Sequence, residues 1–266
     1  MSYTVPQLKT VNVTRYVLPL REGGSLPGLV EASDGQNYVL KFRGAAQGSK
    51  VLIAEIIGGE LARALGLNVP ELVFANFDEA FGRTESDHEL QTQFKASVGL
   101  NLALRHLSGS NMFDPTVTKV DHIMASSIVW LDSLLMNMDR TVRNTNLLVW
   151  NKDLWLIDQG ASLYFHYNWS TEPKLQAVKP FPFIKDHVLL PKASRLKKVN
   201  TDNRTLLTRD VIEAIVAQIP DEWLIIDPPF TSPQDYRDAY TQFLLTRIAK
   251  SDIFVKEAQH AREQII

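Results

Sequence analysis

The stretch 138-MDRTVRNTNLLVWNKDLWLIDQG-160 places two acids and an amide, Asp139, Asn144 and Asp158, around two apolar runs separated by Asn151-Lys152. Leu147 to Trp150 and Leu154 to Ile157 read as strands that pair across that short turn. Antiparallel pairing puts Asn144, just before the first strand, and Asp158, just after the second, at the hairpin's open end. Asp139 sits on the loop leaving the preceding apolar helix. A hard cation such as Mg²⁺ takes oxygen ligands, keeps several waters and is held by one or two carboxylates or amides plus substrate phosphates. Asn144 and Asp158 are therefore candidate metal ligands, and Asp139 is placed to orient an attacking hydroxyl beside them.

An Asp, four residues, an Asn, a hairpin and a second Asp is the order found in phosphoryl-transfer enzymes with the protein-kinase arrangement. A lone pair of this kind is weak evidence, because Asp and Asn are ordinary turn residues. The N-terminal segment adds weight. Such an arrangement needs a lysine on the third strand, an acid on the next helix and a glycine-rich turn over the phosphates, and all three occur in order. Lys41 stands in YVLKF, where alternation turns it away from Leu40 and Phe42 and obliges it to find an anion. Two glutamates on the helix over about residues 50–65 compete for it. Glu55 lies nearer the apolar face than Glu60 and is favoured. In the turn Glu22-Gly-Gly-Ser-Leu-Pro-Gly28, residues Gly23, Gly24 and Ser25 can bring backbone N–H groups close to phosphate oxygens.

Bulk properties exclude several classes. With 28 Lys and Arg against 30 Asp and Glu, and no long run of one sign, the chain announces no surface for nucleic acid. Cysteine is absent, which removes disulfides, thiolate nucleophiles and thiolate metal sites together. The most apolar stretch, Ser126 to Met138, is too short to span a bilayer and contains Asp132, so no membrane role and a cytoplasmic location are expected.

Along the 266 residues, strands are expected at 16–20, 28–32, 38–42 and 71–75, with Asp34-Gly35 as a hairpin turn and Gly66 as the left-handed residue ending the helix. Helical patterns follow at about 89–106, then from Val117 through Val120, Met124, Ile128 and Leu131 to Leu135, and later near 208–218 and from 233 to the end. The expected architecture is α+β: a small β-rich N-lobe over 1–77, a hinge at 76–81 and a mainly helical C-lobe over 78–266, together a two-lobed protein-kinase-like fold. Arg140 and Arg143 either neutralise phosphate charge, pair with a phosphorylated loop or are solvated, whereas His166 and Trp169 read as packing groups.

The runs GGSLPG, YVLKFRG, AEIIGGELARALGLNVPE, MDRTVRN and LIDQGASL resemble the HipA-like kinases, and more distantly the phosphoinositide kinases, over about residues 15–165. The resemblance implies a Mg²⁺-dependent ATP phosphotransferase acting on serine or threonine of a protein. By it, Lys41 would contact the α and β phosphates, Glu55 would orient Lys41, and Phe74, Ala75 and Asn76 would offer backbone groups to adenine. Asp139 would serve the acceptor hydroxyl, and Asn144 and Asp158 would hold Mg²⁺. Ser25 would be a candidate for self-phosphorylation, and a small partner protein encoded nearby, as in toxin–antitoxin pairs, would be expected. Two positions depart from pattern: Thr141 stands where the phosphoinositide kinases carry His, and Gln159 where protein kinases carry Phe and HipA-like proteins often carry His. A lipid or small-molecule kinase, a protein AMP-transferase and a silent nucleotide-binding module remain alternative readings of the same residues.

Overall fold

A computed structural model describes residues 3–20, 26–45, 48–169, 172–224 and 229–266. Within them the chain forms two compact units, one from the described residues of Pro6–Ile53 and Pro70–Gly109, the other from those of Met1–Val5, Ala54–Val69 and Ser110–Ile266.

The first unit is built on a closed barrel with strand order β1-β2-β3-β5-β4. Its strands are β1 (Thr10–Pro19), β2 (Gly28–Ala32), β3 (Asn37–Lys41), β4 (Leu72–Phe77) and β5 (Gly99–Arg105). As expected, β2 and β3 pair antiparallel around Asp34-Gly35, with Gly35 at φ +75° where a side chain would be strained. A parallel pairing of β1 with β4 closes the ring, and β5 lies antiparallel between β3 and β4. Alternate residues fill the interior: Val11, Val13, Val30, Tyr38, Leu40, Val73, Ala75 and Ala103 share one apolar core with Phe77 and Phe94. Phe42, Phe77 and Phe94 meet there at 5.1–5.4 Å between ring centroids.

The expected helix over 89–106 is corrected. Only His88–Ala96 is helical (α3, after a short α2 at Ala80–Thr84), and Gly99–Arg105 returns to the barrel as β5. Leu100, Leu102 and Leu104 recur with a period of two, and Gly99 at φ +100° breaks the helical path before them. The chain thus re-enters the barrel unit beyond residue 77. α1 (Ser49–Ala64) follows β3 as expected and ends on Gly66 at φ +76°.

The second unit is mainly helical. Its central element is α4 (His122–Leu135), capped by Asp121, whose carboxylate accepts from the N–H groups of Ile123 and Met124. Val117, expected within this helix, lies outside it and is exposed. A short α5 (Pro173–Ala177) precedes α6 (Leu196–Leu206), α7 (Arg209–Val216), α8 (Pro233–Ala249) and α9 (Asp252–Glu263), and α4 packs against α6, α8 and α9. Trp130 is fully buried in this core, edge-on to Phe254 at 5.7 Å. Arg247 of α8 is buried too. Its guanidinium donates to the carbonyls of Ser133, Ala177 and Lys179, and burial pulls its pKa down to about 10. His166 and Trp169 pack against Tyr240, in agreement with their reading as packing groups.

Candidate active site

The apolar run and its two-residue turn form the hairpin that the spacing implies. β7 (Leu147–Trp150) and β8 (Asp153–Leu156) pair in the register Leu147↔Leu156 to Trp150↔Asp153, and β6 (Asn111–Met112) adds a third strand. Asn151 at φ +51° and Lys152 at φ +72° make the turn, as a two-residue hairpin loop requires. At the open end the Ile157 N–H donates to the Asn146 carbonyl at 3.1 Å, so the segments carrying Asn144 and Asp158 leave the hairpin side by side.

Three of the expected residues come together there. The Asn144 Nδ2 donates to Asp139 Oδ2 at 2.8 Å, which leaves Asn144 Oδ1 as its donor atom for a cation. Burial, together with the nearby Asp158 carboxylate, pushes the Asp139 pKa above its ordinary value despite hydrogen bonds from Asn146 and Asn144. Asp158 sits at φ +55°, a left-handed conformation that Asp tolerates better than most residues, and its Oδ1 lies 3.4 Å from the Gly160 N–H. Two carboxylates that repel each other beside an amide oxygen are a donor set for a hard cation. Among the described residues no three His, Cys, Asp or Glu side chains gather into a metal site. Asn144 and Asp158 could hold a divalent cation that completes its shell with water and phosphate oxygens.

A buried polar scaffold, not anticipated from the sequence, holds this loop. Asp132, in the middle of apolar α4, is fully buried and pairs with Arg140 Nε at 2.6 Å and with His187 Nε2 at 2.9 Å. Burial pushes its carboxyl up, but Arg140 and His187 outweigh that and hold it below the ordinary range. His187 Nδ1 accepts the Leu189 N–H at 3.0 Å, so Nε2 carries the proton donated to Asp132. The Arg140 Nη1 reaches the carbonyls of Asn146 and Ile157, and the Arg140 carbonyl accepts the Val188 N–H at 3.0 Å. Arg140 is thus neither phosphate-facing nor solvated; it is 1% exposed and serves as the brace of the loop. Arg143 is exposed. Asn137 joins the scaffold, donating from Nδ2 to Asp132 Oδ1 and accepting the Asp139 N–H, both at 3.1 Å.

Asn146 was also missed. At φ +47° it turns its Nδ2 onto the Asp139 carbonyl at 3.0 Å and Oδ2 at 3.3 Å. One signal for the scaffold was available: a lone acid inside an apolar helix requires a buried partner.

Glu55, on α1, belongs to the same unit as Asp139 and Asp158 and is buried. Its competitor Glu60 is occupied by Arg63 at 3.3 Å. Lys41, Phe74, Ala75 and Asn76 belong to the barrel unit. There Lys41 and Phe74 are both register partners of Leu102 on β5, so all three share the sheet face opposite the Leu40 and Val73 core positions. Lys41 is 7% exposed. The Phe74 N–H donates to the Lys9 carbonyl at 2.9 Å and Asn76 Nδ2 to Asn12 Oδ1 at 3.0 Å, so those two donors are already engaged. Gly23, Gly24 and Ser25 lie outside the described residues.

The sequence model of the HipA-like kinases matches residues 13–257. The chain belongs to the HipA-like kinase family. This HipA-like kinase shares its fold with the Helicobacter pylori proinflammatory kinase CtkA, at a TM-score of 0.51 and 12% identity over 98% of this chain and 99% of that one. The Golgi casein kinase gives a TM-score of 0.47 at 11% identity, covering 97% of this chain and 73% of the other. Its structure with Mn and ADP bound gives 0.45 at 10%, covering 96% and 74%. By sequence, no curated protein matches. Family membership makes the chain an ATP-dependent kinase.

Proposed function

We propose that the protein is a two-lobed, Mg²⁺-dependent kinase that transfers the γ-phosphoryl group of ATP to a serine or threonine of a protein. The observation that carries this reading is the contact of Asn144 with Asp139 beside Asp158, on a loop braced by a buried ion pair. Mg²⁺ held by Asn144 and Asp158 would neutralise charge on the phosphates. Asp139 accepts the proton of the acceptor hydroxyl and orients its oxygen, a role that its raised pKa suits. Lys41 is assigned the cationic role toward the α and β phosphates that the family resemblance implies. Adenine contacts come from the Phe74–Asn76 end of β4, using groups other than the engaged Phe74 N–H. Catalysis of this kind rests on positioning and charge rather than a covalent enzyme intermediate.

Incubation with labelled ATP and Mg²⁺ compares wild type with Asp158→Ala. Label transferred to protein by wild type and lost by at least about a hundredfold in the variant supports the reading, since aligned charge stabilisation contributes on that scale. Equal label in both refutes the role of Asp158. Release of pyrophosphate rather than ADP would show AMP transfer instead.

A further inference from the structure

Gln159, directly after Asp158, is 1% exposed. It lies flat against α1 at Gly58: a Cβ on Gly58 would stand 2.8 Å from both Cβ and Cγ of Gln159 and 3.2 Å from its Oε1. No side chain larger than hydrogen fits that notch without displacing Gln159. Glycine inside a helix is unfavourable relative to alanine, so Gly58 is a local cost that this contact explains. Glu55 lies one turn earlier on the same face of α1. Gln159 therefore joins the helix bearing one candidate site acid to the segment bearing another.

Its amide is unusual. Buried polar side-chain atoms are nearly always hydrogen-bonded, yet among the described residues neither Oε1 nor Nε2 of Gln159 has a partner. The hydroxyl of Ser162, fully buried three residues later, has none either, although its backbone N–H donates to the Gln159 carbonyl at 2.9 Å. A methionine or leucine would fill the same space with no polar atom to bury. Packing accounts for the size of the side chain and leaves its amide unexplained.

The geometry points to Gln159 as a positioning residue for Asp158: the notch at Gly58 fixes the segment against α1, and the amide is held to hydrogen-bond that segment in the arrangement Asp158 takes when it ligates a divalent cation. This inference rests on the metal role proposed for Asp158. Gln159 touches neither nucleotide nor ion; it acts through the backbone of its neighbour.

Calorimetry of ADP binding to the full chain, in EDTA and then in Mg²⁺, tests it on wild type, Gln159→Met, Gly58→Ala and Asp158→Ala. Gln159→Met keeps the side-chain length and removes the amide. It is expected to melt at or above the wild-type temperature, to bind ADP normally in EDTA, and to lose about tenfold or more of the Mg²⁺-dependent tightening, the scale on which residues behind a metal ligand act. Gly58→Ala, which shifts Gln159 with its amide intact, should lose the same Mg²⁺-dependent part. Wild-type tightening by Mg²⁺ in Gln159→Met overturns the inference, as does an equal loss of affinity with and without metal. If Mg²⁺ tightens ADP in wild type but not in Asp158→Ala, the metal reading stands whatever Gln159→Met does. If Mg²⁺ has no effect on wild type, both fall together.

Discussion

Replacing Arg140 by methionine is the sharpest perturbation of the scaffold. The change keeps much of the aliphatic stem and deletes the guanidinium that neutralises Asp132. Removing one partner of a buried ion pair costs about 3–5 kcal/mol, because the other charge stays buried. Asp132 retains His187 and Asn137, which argues for the lower end. The Asn146 carbonyl keeps the Ile157 N–H, whereas the Ile157 carbonyl loses the Arg140 donor at 3.3 Å, which adds about 1 kcal/mol. The sum is about 4 kcal/mol, nearly a thousandfold in the ratio of folded to unfolded protein. All five tryptophans lie between Trp130 and Trp223, in the unit that holds this scaffold. Tryptophan fluorescence in urea therefore reads the affected unit, and the midpoint should fall by roughly 1–2 M. The double variant Arg140→Met with Asp132→Asn removes the stranded charge while keeping an oxygen that accepts a hydrogen bond from the neighbouring donors, and should regain part of the loss. A single variant within about 1 kcal/mol of wild type, or a double variant no better than the single, would refute the brace.

Two further outcomes follow from the same cluster. Asn146→Ala must hold a left-handed φ without the amide and loses the bonds to Asp139, so kinase activity should drop by about tenfold or more; Asn146→Gly, which relieves the backbone alone, should recover stability in urea without recovering turnover. In the absence of divalent cations, Asp158→Asn should lower the Asp139 pKa, followed by carboxyl carbon NMR, because one of the groups that raise it is gone. The sign for stability runs the same way: a carboxyl with a raised folded pKa favours folding below its unfolded pKa and loses that contribution as pH rises through the folded value. Asp158→Asn should therefore raise the melting temperature at neutral pH, and an unchanged Asp139 titration would contradict the closeness of the two acids.

The barrel strands and the hairpin were legible because each carries its own local signal. Asp34-Gly35 and Asn151-Lys152 sit between apolar runs of strand length, and the Asp139, Asn144, Asp158 order depends only on spacing. β5 was misread because its Leu100, Leu102, Leu104 alternation follows directly on a true helix, and a window spanning both favours the longer periodicity. The scaffold was illegible for a different reason. His187 meets Asp132 across 55 residues of sequence, and nothing in a single chain distinguishes an arginine that braces a loop from one that waits in solvent. Asp132 announced a partner without naming it. Gln159 looked like a departure from a pattern, and only its contact with Gly58 gives that departure a physical meaning.

The left-handed residues explain why acids and amides gather at the ends of an apolar hairpin. Asn146 and Asp158 take positive φ on either side of it, and between them the Asn146 carbonyl and Ile157 N–H close the open end. Each such turn costs of the order of 1 kcal/mol for most residues and least for Asn and Asp, whose short side chains bond locally. A chain that must bend sharply at both ends of a ribbon is thus steered toward Asn and Asp: at Asp158 the bend coincides with a candidate metal ligand, whereas at Asn146 the amide bonds Asp139 instead. Holding them in place then falls to groups that need not be near the surface: Arg140 ties both bends through the carbonyls of Asn146 and Ile157, and Asp132 anchors Arg140. The polar residues at the hairpin's open end form one cluster, and a charge pair in the helical core fixes its place.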